Sequence, residues 1–317
     1  MKSKKGLEMG FSWIFGLLVG AMILGLAIYG VMRLVDISIK EIDIKTAQNF
    51  LGVLDPLQTT IQEGSGDSIK LPVQTRIYTT CNEEGAFGNT LLQISQLNGL
   101  GGKWSKKSSP IRKNNAYLFS EDIIEGKNIF VFIFPVKMPF KVGDMIVSYT
   151  DNYCFVGAPD EIEREIRGLI TGENQNIVVT SSKTSCPEGS KTVCFSGGSC
   201  NISITCFDND CTQGNVVKSG KNFYFVDKLL YSAIFSSQEN YECNVNRFMM
   251  RLNYLSDIYL QKSQFVASRG CNTGLTSDMK ILSESAKNYR QTGDLGNIKI
   301  LADSIDDKNS NLGCHLF

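Results

Sequence analysis

An α+β ectodomain carried on one N-terminal membrane helix is the fold class this sequence predicts. Three observations predict it. A run without formal charge spans Phe11 to Met32. Short β-branched and aromatic runs follow, and all ten cysteines lie beyond the uncharged run. The C-terminal part then repeats apolar positions at spacings of three and four. Strands first and helices later argue for α+β. The expected order is a transmembrane helix with a stalk, then an antiparallel or mixed β-sheet region with a disulfide-stapled β-subdomain, and last a C-terminal helical bundle. The expected boundaries are 1–10 for a cytoplasmic tail, 11–34 for the transmembrane helix and 35–68 for a stalk helix and linker. A β-rich core region follows over 69–175, a cysteine-rich β-subdomain over 176–226 and a helical region over 227–317.

The uncharged run holds 22 residues, roughly 33 Å of helix, against a hydrocarbon core of about 30 Å. A signal-peptide core is usually shorter, about 7–15 apolar residues, and ends at a small-residue cleavage site. Here Arg33 and Asp36 follow with no A-x-A pattern. Lys2, Lys4 and Lys5 precede the run, which predicts a cytoplasmic N-terminus and an extracytoplasmic domain. Trp13 and Tyr29 stand near the two ends, where aromatic rings favour the headgroup level. Gly16 and Gly20 form a GxxxG, the spacing that lets membrane helices approach closely, although glycine is common in such helices generally. The expected membrane partners are therefore the lipid bilayer and, through Gly16 and Gly20, a second copy. Lys4-Lys5-Gly6 resembles the processing site of type IV pilin-like (class III) signal peptides, which implies cleavage after Gly6 between a basic residue and the helix. The resemblance departs from the pilin pattern at Phe11, where a glutamate is usual; here the glutamate is Glu8. A plain signal anchor is the better reading.

The 32 basic and 32 acidic residues cancel. No basic footprint for nucleic acid appears. The densest basic stretch, Lys103, Lys106, Lys107, Arg112 and Lys113, sits among serines and glycines and reads as a solvated loop. The cysteines are Cys81, Cys154, Cys186, Cys194, Cys200, Cys206, Cys211, Cys243, Cys271 and Cys314. An even number on the outer side fits an oxidising compartment and up to five disulfides. Structural zinc needs close pairs; no C-x-x-C occurs, and the single histidine is His315. Cys271 with Cys314 and Cys81 with Cys154 are the expected pairings that can be guessed. Asn201-Ile202-Ser203 is a sequon on the same predicted side.

Val35 to about Leu54 suggests a helix continuing from the membrane, ended by Pro56, with Glu63-Gly64-Ser65-Gly66-Asp67 as a flexible link. Gln74–Cys81, Thr90–Gln96, Asn128–Phe134 and Met145–Val156 read as strands. Ile129–Phe134 is apolar at every position, so it predicts a central strand covered on both faces, with Pro135 and Pro139 stopping its pairing. Pro159 and the acids after it suit a helix start, with Ile162, Ile166 and Leu169 inward and Asp160, Glu161, Glu163 and Glu165 as a solvated face. Ile177–Thr180, Thr192–Phe195, Ile202–Phe207 and Phe223–Val226 are the strand-like pieces of the cysteine-dense segment, which reads as too short and polar to build much core. Three helices close the chain: Glu239 to Ser268, Thr276 to Gly293, and one carrying Ile298, Leu301, Ala302 and Ile305. This order of anchor, stalk, cysteine-containing strands and terminal helices resembles uncharacterised membrane-anchored surface proteins of archaea, which implies topology alone.

No HExxH, P-loop, GxSxG or GxGxxG occurs. Histidine-based catalysis lacks its partners, and His315 stands three residues from the end. Asp208-Asn209-Asp210 resembles the opening of a calcium loop, but Gln213 holds the glycine position and no glutamate closes it. No catalytic residue, metal ligand or cofactor is expected. The residues point to a non-enzymatic, membrane-anchored surface protein that binds another surface protein or an extracellular ligand. A pilin-like filament subunit is the first alternative and an anchored hydrolase using two carboxylates the second.

Overall fold

The computed structural model describes residues 13–31, 33, 52, 66–97, 102–170, 176–195, 197 and 199–317. Lys5, Gly6 and, Gly52 apart, the stalk expected before residue 66 lie outside the described residues. Helix α1 (Trp13–Val31) has a mean hydropathy of 2.4 and none of it is buried. It is long and apolar enough to cross a membrane.

The next strands are β1 (Gly66–Asn82), β2 (Asn89–Gln96), β3 (Ile111–Asn114), β4 (Tyr117–Phe119), β5 (Ile123–Lys137) and β6 (Lys141–Tyr149). They form one sheet in the order β3-β2-β1-β5-β6-β4, antiparallel except for the β4–β6 pair. Strand β5 lies between β1 and β6, as its apolar sequence predicts. Period-two alternation splits it between two cores. Phe130, Phe132, Phe134 and Val136 enter the main core, while Ile129, Val131 and Ile133 enter a smaller one with Ile77, Leu92, Ile94 and Ile146.

Two expectations fail along these strands. Gly66 and Asp67 belong to no flexible link; they pair with Phe132 and Val131 at the start of β1. Pro135 does not stop β5 either, since it stands opposite Asp144 of β6. Among the described residues β1 pairs with β5 no further than Phe132. Pro72 falls at the register shift between Lys70 and Thr75 of β1, where pairing is already interrupted.

The second sheet contains β7 (Tyr153–Val156), β8 (Ile177–Thr180), β9 (Lys191–Cys194), β10 (Ile202–Cys206), β11 (Gln213–Lys218) and β12 (Lys221–Val226). Its order is β12-β11-β10-β9-β7-β8. Helix α2 (Asp160–Leu169) joins the parallel strands β7 and β8 and buries Ile162, Ile166 and Leu169. The single strand expected over Met145–Val156 is therefore two strands in different sheets. Asp151 and Asn152, poor strand formers, break it. The cysteine-dense segment builds more core than its short, polar pieces suggest. Val193, Ile202, Ile204, Val216, Phe223 and Phe225 join the main core, because alternation turns its polar residues outward.

Helices α3 (Leu229–Phe235), α4 (Gln238–Ser268), α5 (Thr276–Thr292) and α6 (Leu295–Ser310) complete the chain. Ser237 caps α4 and Asp294 caps α6, each accepting a backbone N–H three residues on. Gly293 ends α5 in the left-handed conformation at φ 63°. The buried residues of these helices, from Val245, Phe248 and Leu252 to Leu282, Ala286, Ile298 and Ile305, belong to the main core, with α5 packed between α4 and α6.

The cysteines pair Cys81–Cys243, Cys154–Cys186, Cys194–Cys200, Cys206–Cys211 and Cys271–Cys314. The last is the pairing expected. Cys81 does not meet Cys154, because these residues lie in different sheets. Cys81 instead ties the end of β1 to α4, and Cys154 ties β7 to the turn after β8.

Candidate functional site

The sequence places apolar residues at the end of β5, a glutamate on α2 and a Val-Asp-Lys-Leu junction between β12 and α3. Folding brings these three pieces around one cleft of about 480 Å³. Phe134, Val136, Met138, Val226 and Leu229 supply apolar wall, and Lys137, Glu165, Asp227 and Lys228 supply charge.

The charged groups form two neighbouring clusters. Lys228 donates to Glu165 Oε1, and the Tyr231 hydroxyl donates to Oε2 of the same carboxylate at 2.7 Å. Tyr231 stacks on Phe134 with ring centroids 5.0 Å apart, so the cleft wall also orients the phenol. Burial first, and the Glu165 charge second, hold the Tyr231 phenol well above its ordinary pKa. It is a fixed donor, unsuited to act as a base. In the second cluster Lys299 lies 3.3 Å from Asp227 and 2.5 Å from Asp303. Desolvation raises the Asp227 carboxyl despite the Lys299 ammonium beside it. Asp227 adopts φ 45°, a left-handed conformation that aspartate tolerates better than most residues. That turn places Lys228 on the cleft side of the β12–α3 junction.

Glu165 is thus no part of a solvated face, although Asp160 and Glu161 beside it are exposed. Its i to i+4 neighbour on the chain gives no hint of this, since the partners come from the β12–α3 junction and α3, more than sixty residues away. Nor was the buried Arg247 of α4 evident from pattern. Its guanidinium reaches the Phe87 carbonyl at 3.0 Å, Thr90 Oγ1 and the Ala116 carbonyl at 3.1 Å, and Asn244 Oδ1 at 2.8 Å. Nη2 has no hydrogen-bond partner among the described residues. Desolvation pulls its pKa down to about 10, opposed by Tyr117 and Glu83.

Other residues singled out from sequence fall away from the cleft. Asp208 accepts from the Thr212 N–H and hydroxyl, both at 2.9 Å, and from the Gln213 N–H at 3.0 Å. Its oxygens close the turn bridged by Cys206–Cys211, and among the described residues no three potential metal ligands gather. His315 Nδ1 lies 2.8 Å from the Asn309 carbonyl. Asn201 Oδ1 accepts from the Thr192 N–H at 2.8 Å and shapes the loop into β10. Within the basic stretch, Lys107 lies 3.9 Å over the Tyr78 ring. Gly16 and Gly20 lie one turn apart on α1, and a Cβ on either would meet nothing within 4 Å. No protein-family model, no curated protein and no solved structure matches this chain.

Proposed function

We propose that the chain is a membrane-anchored, extracytoplasmic, disulfide-bonded surface protein with a non-enzymatic binding role, and that the cleft is where it binds. Helix α1 and the five disulfides support the anchored, oxidising location. The observation that carries the binding role is the composition of the cleft: apolar walls closed by one buttressed ion pair, Glu165–Lys228. Such a site accepts an apolar body and orients one polar end. Each acid at the site is already held by a lysine, an arrangement that favours recognition over two-carboxylate hydrolysis. The ligand is an extracellular molecule, or a segment of another surface protein, of that chemistry.

Gly168 lines the cleft, and a Cβ there would meet nothing within 4 Å. Gly168→Trp should therefore fill the cleft without disturbing the core. Native mass spectrometry of full-length protein extracted from its own membrane should show a bound molecule or partner on the wild type. The same adduct should be absent from Gly168→Trp, whose five disulfides and circular dichroism should be unchanged. Identical adduct spectra, or no adduct on either, would sink the cleft as the binding site.

A further inference from the structure

The C-terminal half of helix α4 carries a face largely open to solvent, where Phe87 meets Tyr254 edge-on at ring centroids 5.3 Å apart. Residues Arg251, Tyr254, Ile258, Lys262, Phe265 and Arg269 recur at steps of three and four, so they share one stripe about 27 Å long. Its apolar members are open to solvent: Tyr254 is 54% exposed, Ile258 44% and Phe265 61%. Among the described residues beyond α1, no other element exposes more than one large apolar side chain. The remaining stripe positions are all cationic. Arg251 and Arg269 form no ion pair among the described residues; Arg269 lies 5.5 Å over the Phe265 ring, and Lys262 donates to the Leu316 carbonyl. No acidic residue occupies the stripe, since Asp257 stands on the α5 side and accepts from Ser283 at 2.6 Å.

We infer that this face of α4 docks on an anionic lipid surface. Large apolar and aromatic side chains alternating with unpaired cations are what the interface between headgroups and acyl chains selects. A partner protein would demand shaped pockets for the three apolar side chains; a bilayer demands only a flat strip with positive charge. The inference rests on the reading of α1 as a bilayer span, which puts such a surface within reach. Residues 32–65 separate α1 from β1, and at full extension they cover about 110 Å. The domain would then lie along the membrane instead of standing off it.

Full-length protein should be reconstituted into vesicles of phosphatidylcholine alone and of phosphatidylcholine with an equal part of phosphatidylglycerol. Flotation reports anchoring, and hydroxyl-radical footprinting reports the exposure of Tyr254 and Phe265. Expected is co-flotation with both lipids and protection of both rings on the anionic vesicles only. Arg251→Gln with Arg269→Gln should float equally but lose the protection, because each cation shifts the docked population by roughly fivefold. Co-flotation with equal labelling on both vesicles would overturn the docking and leave the span intact. Equal protection on both, or protection already present in detergent, would overturn it in favour of a neutral or protein contact. Failure to float would overturn the span and the docking together.

Discussion

At Arg247 a cation is buried without a carboxylate, and only geometry makes that tolerable. Its side chain is fully buried, and each acceptor it reaches comes from a different segment: the β1–β2 turn, β2, the approach to β4, and α4 itself. Gly88 is part of the arrangement. It adopts φ 62°, and a Cβ there would stand 2.9 Å from Arg247 Nε. Removing the guanidinium takes the donor from the Phe87 carbonyl and the Asn244 amide oxygen, while the Ala116 carbonyl keeps the Thr90 hydroxyl, and this loss costs more than the relief of an unpaired charge returns. Arg247→Met should therefore lower the unfolding free energy by about 3 kcal/mol, measured by chemical denaturation. A neutral or stabilising result would mean that burial of the cation outweighs its four bonds. Nothing local in the sequence marks this residue as buried, since an arginine three positions from Asn244 on a helix looks like any exposed charge. The same holds for Glu165, whose partners Lys228 and Tyr231 are remote in sequence.

Elements were legible where their periodicity is local. Helices α2, α4, α5 and α6 follow apolar spacings and caps, and the Ile129–Phe134 core of β5 follows its unbroken apolar run. Strands β3 and β4 are too short for a period to register, and α3, buried along its whole length, has no polar face to mark it as a helix. How elements are joined was legible only at Cys271–Cys314, whose partners both lie in the helical region, and the other disulfides illustrate why. Cys81 pairs with a cysteine 162 residues away, on an element of the other type. In chain-entropy terms that bridge closes by far the longest loop, but Cys154–Cys186, Cys194–Cys200 and Cys206–Cys211 lie inside it and shorten it. Replacing both Cys81 and Cys243 by serine should cost about 4–5 kcal/mol, against about 2 kcal/mol for the short Cys206–Cys211 loop. Denaturation of the two double variants checks the order. A larger loss from opening Cys206–Cys211 would show that loop length does not govern these bridges.

Across the whole molecule, the two sheets and the helices share one aromatic-rich core, and several of its phenols answer to pH together. Tyr149, Tyr153, Tyr231 and Tyr241 are buried from both sheets and both neighbouring helices. Desolvation is the first cause in each case, and it holds all four phenols well above their ordinary range. Tyr289 is pushed up to about 12 by burial, with Glu242 adding to it. A phenol whose folded pKa exceeds its unfolded value binds more protons in the folded state. Its stabilising contribution is complete below the unfolded value near 10 and is lost as pH rises through the folded one. Each strongly shifted phenol then removes about 1.4 kcal/mol per pH unit above 10, so four together remove about 5–6 kcal/mol per unit. A domain of ordinary stability, about 5–15 kcal/mol, should therefore unfold within one to three pH units above 10. Phenolate absorbance and near-ultraviolet circular dichroism, followed after rapid pH jumps, test this directly. The phenolate signal of Tyr149, Tyr153, Tyr231 and Tyr241 should grow only as tertiary dichroism collapses, because burial opposes the charged form of each. If the full amplitude appeared while the dichroism persisted, water would reach the rings in the folded state. The single core shared by sheets and helices would then have to be replaced by one that opens locally.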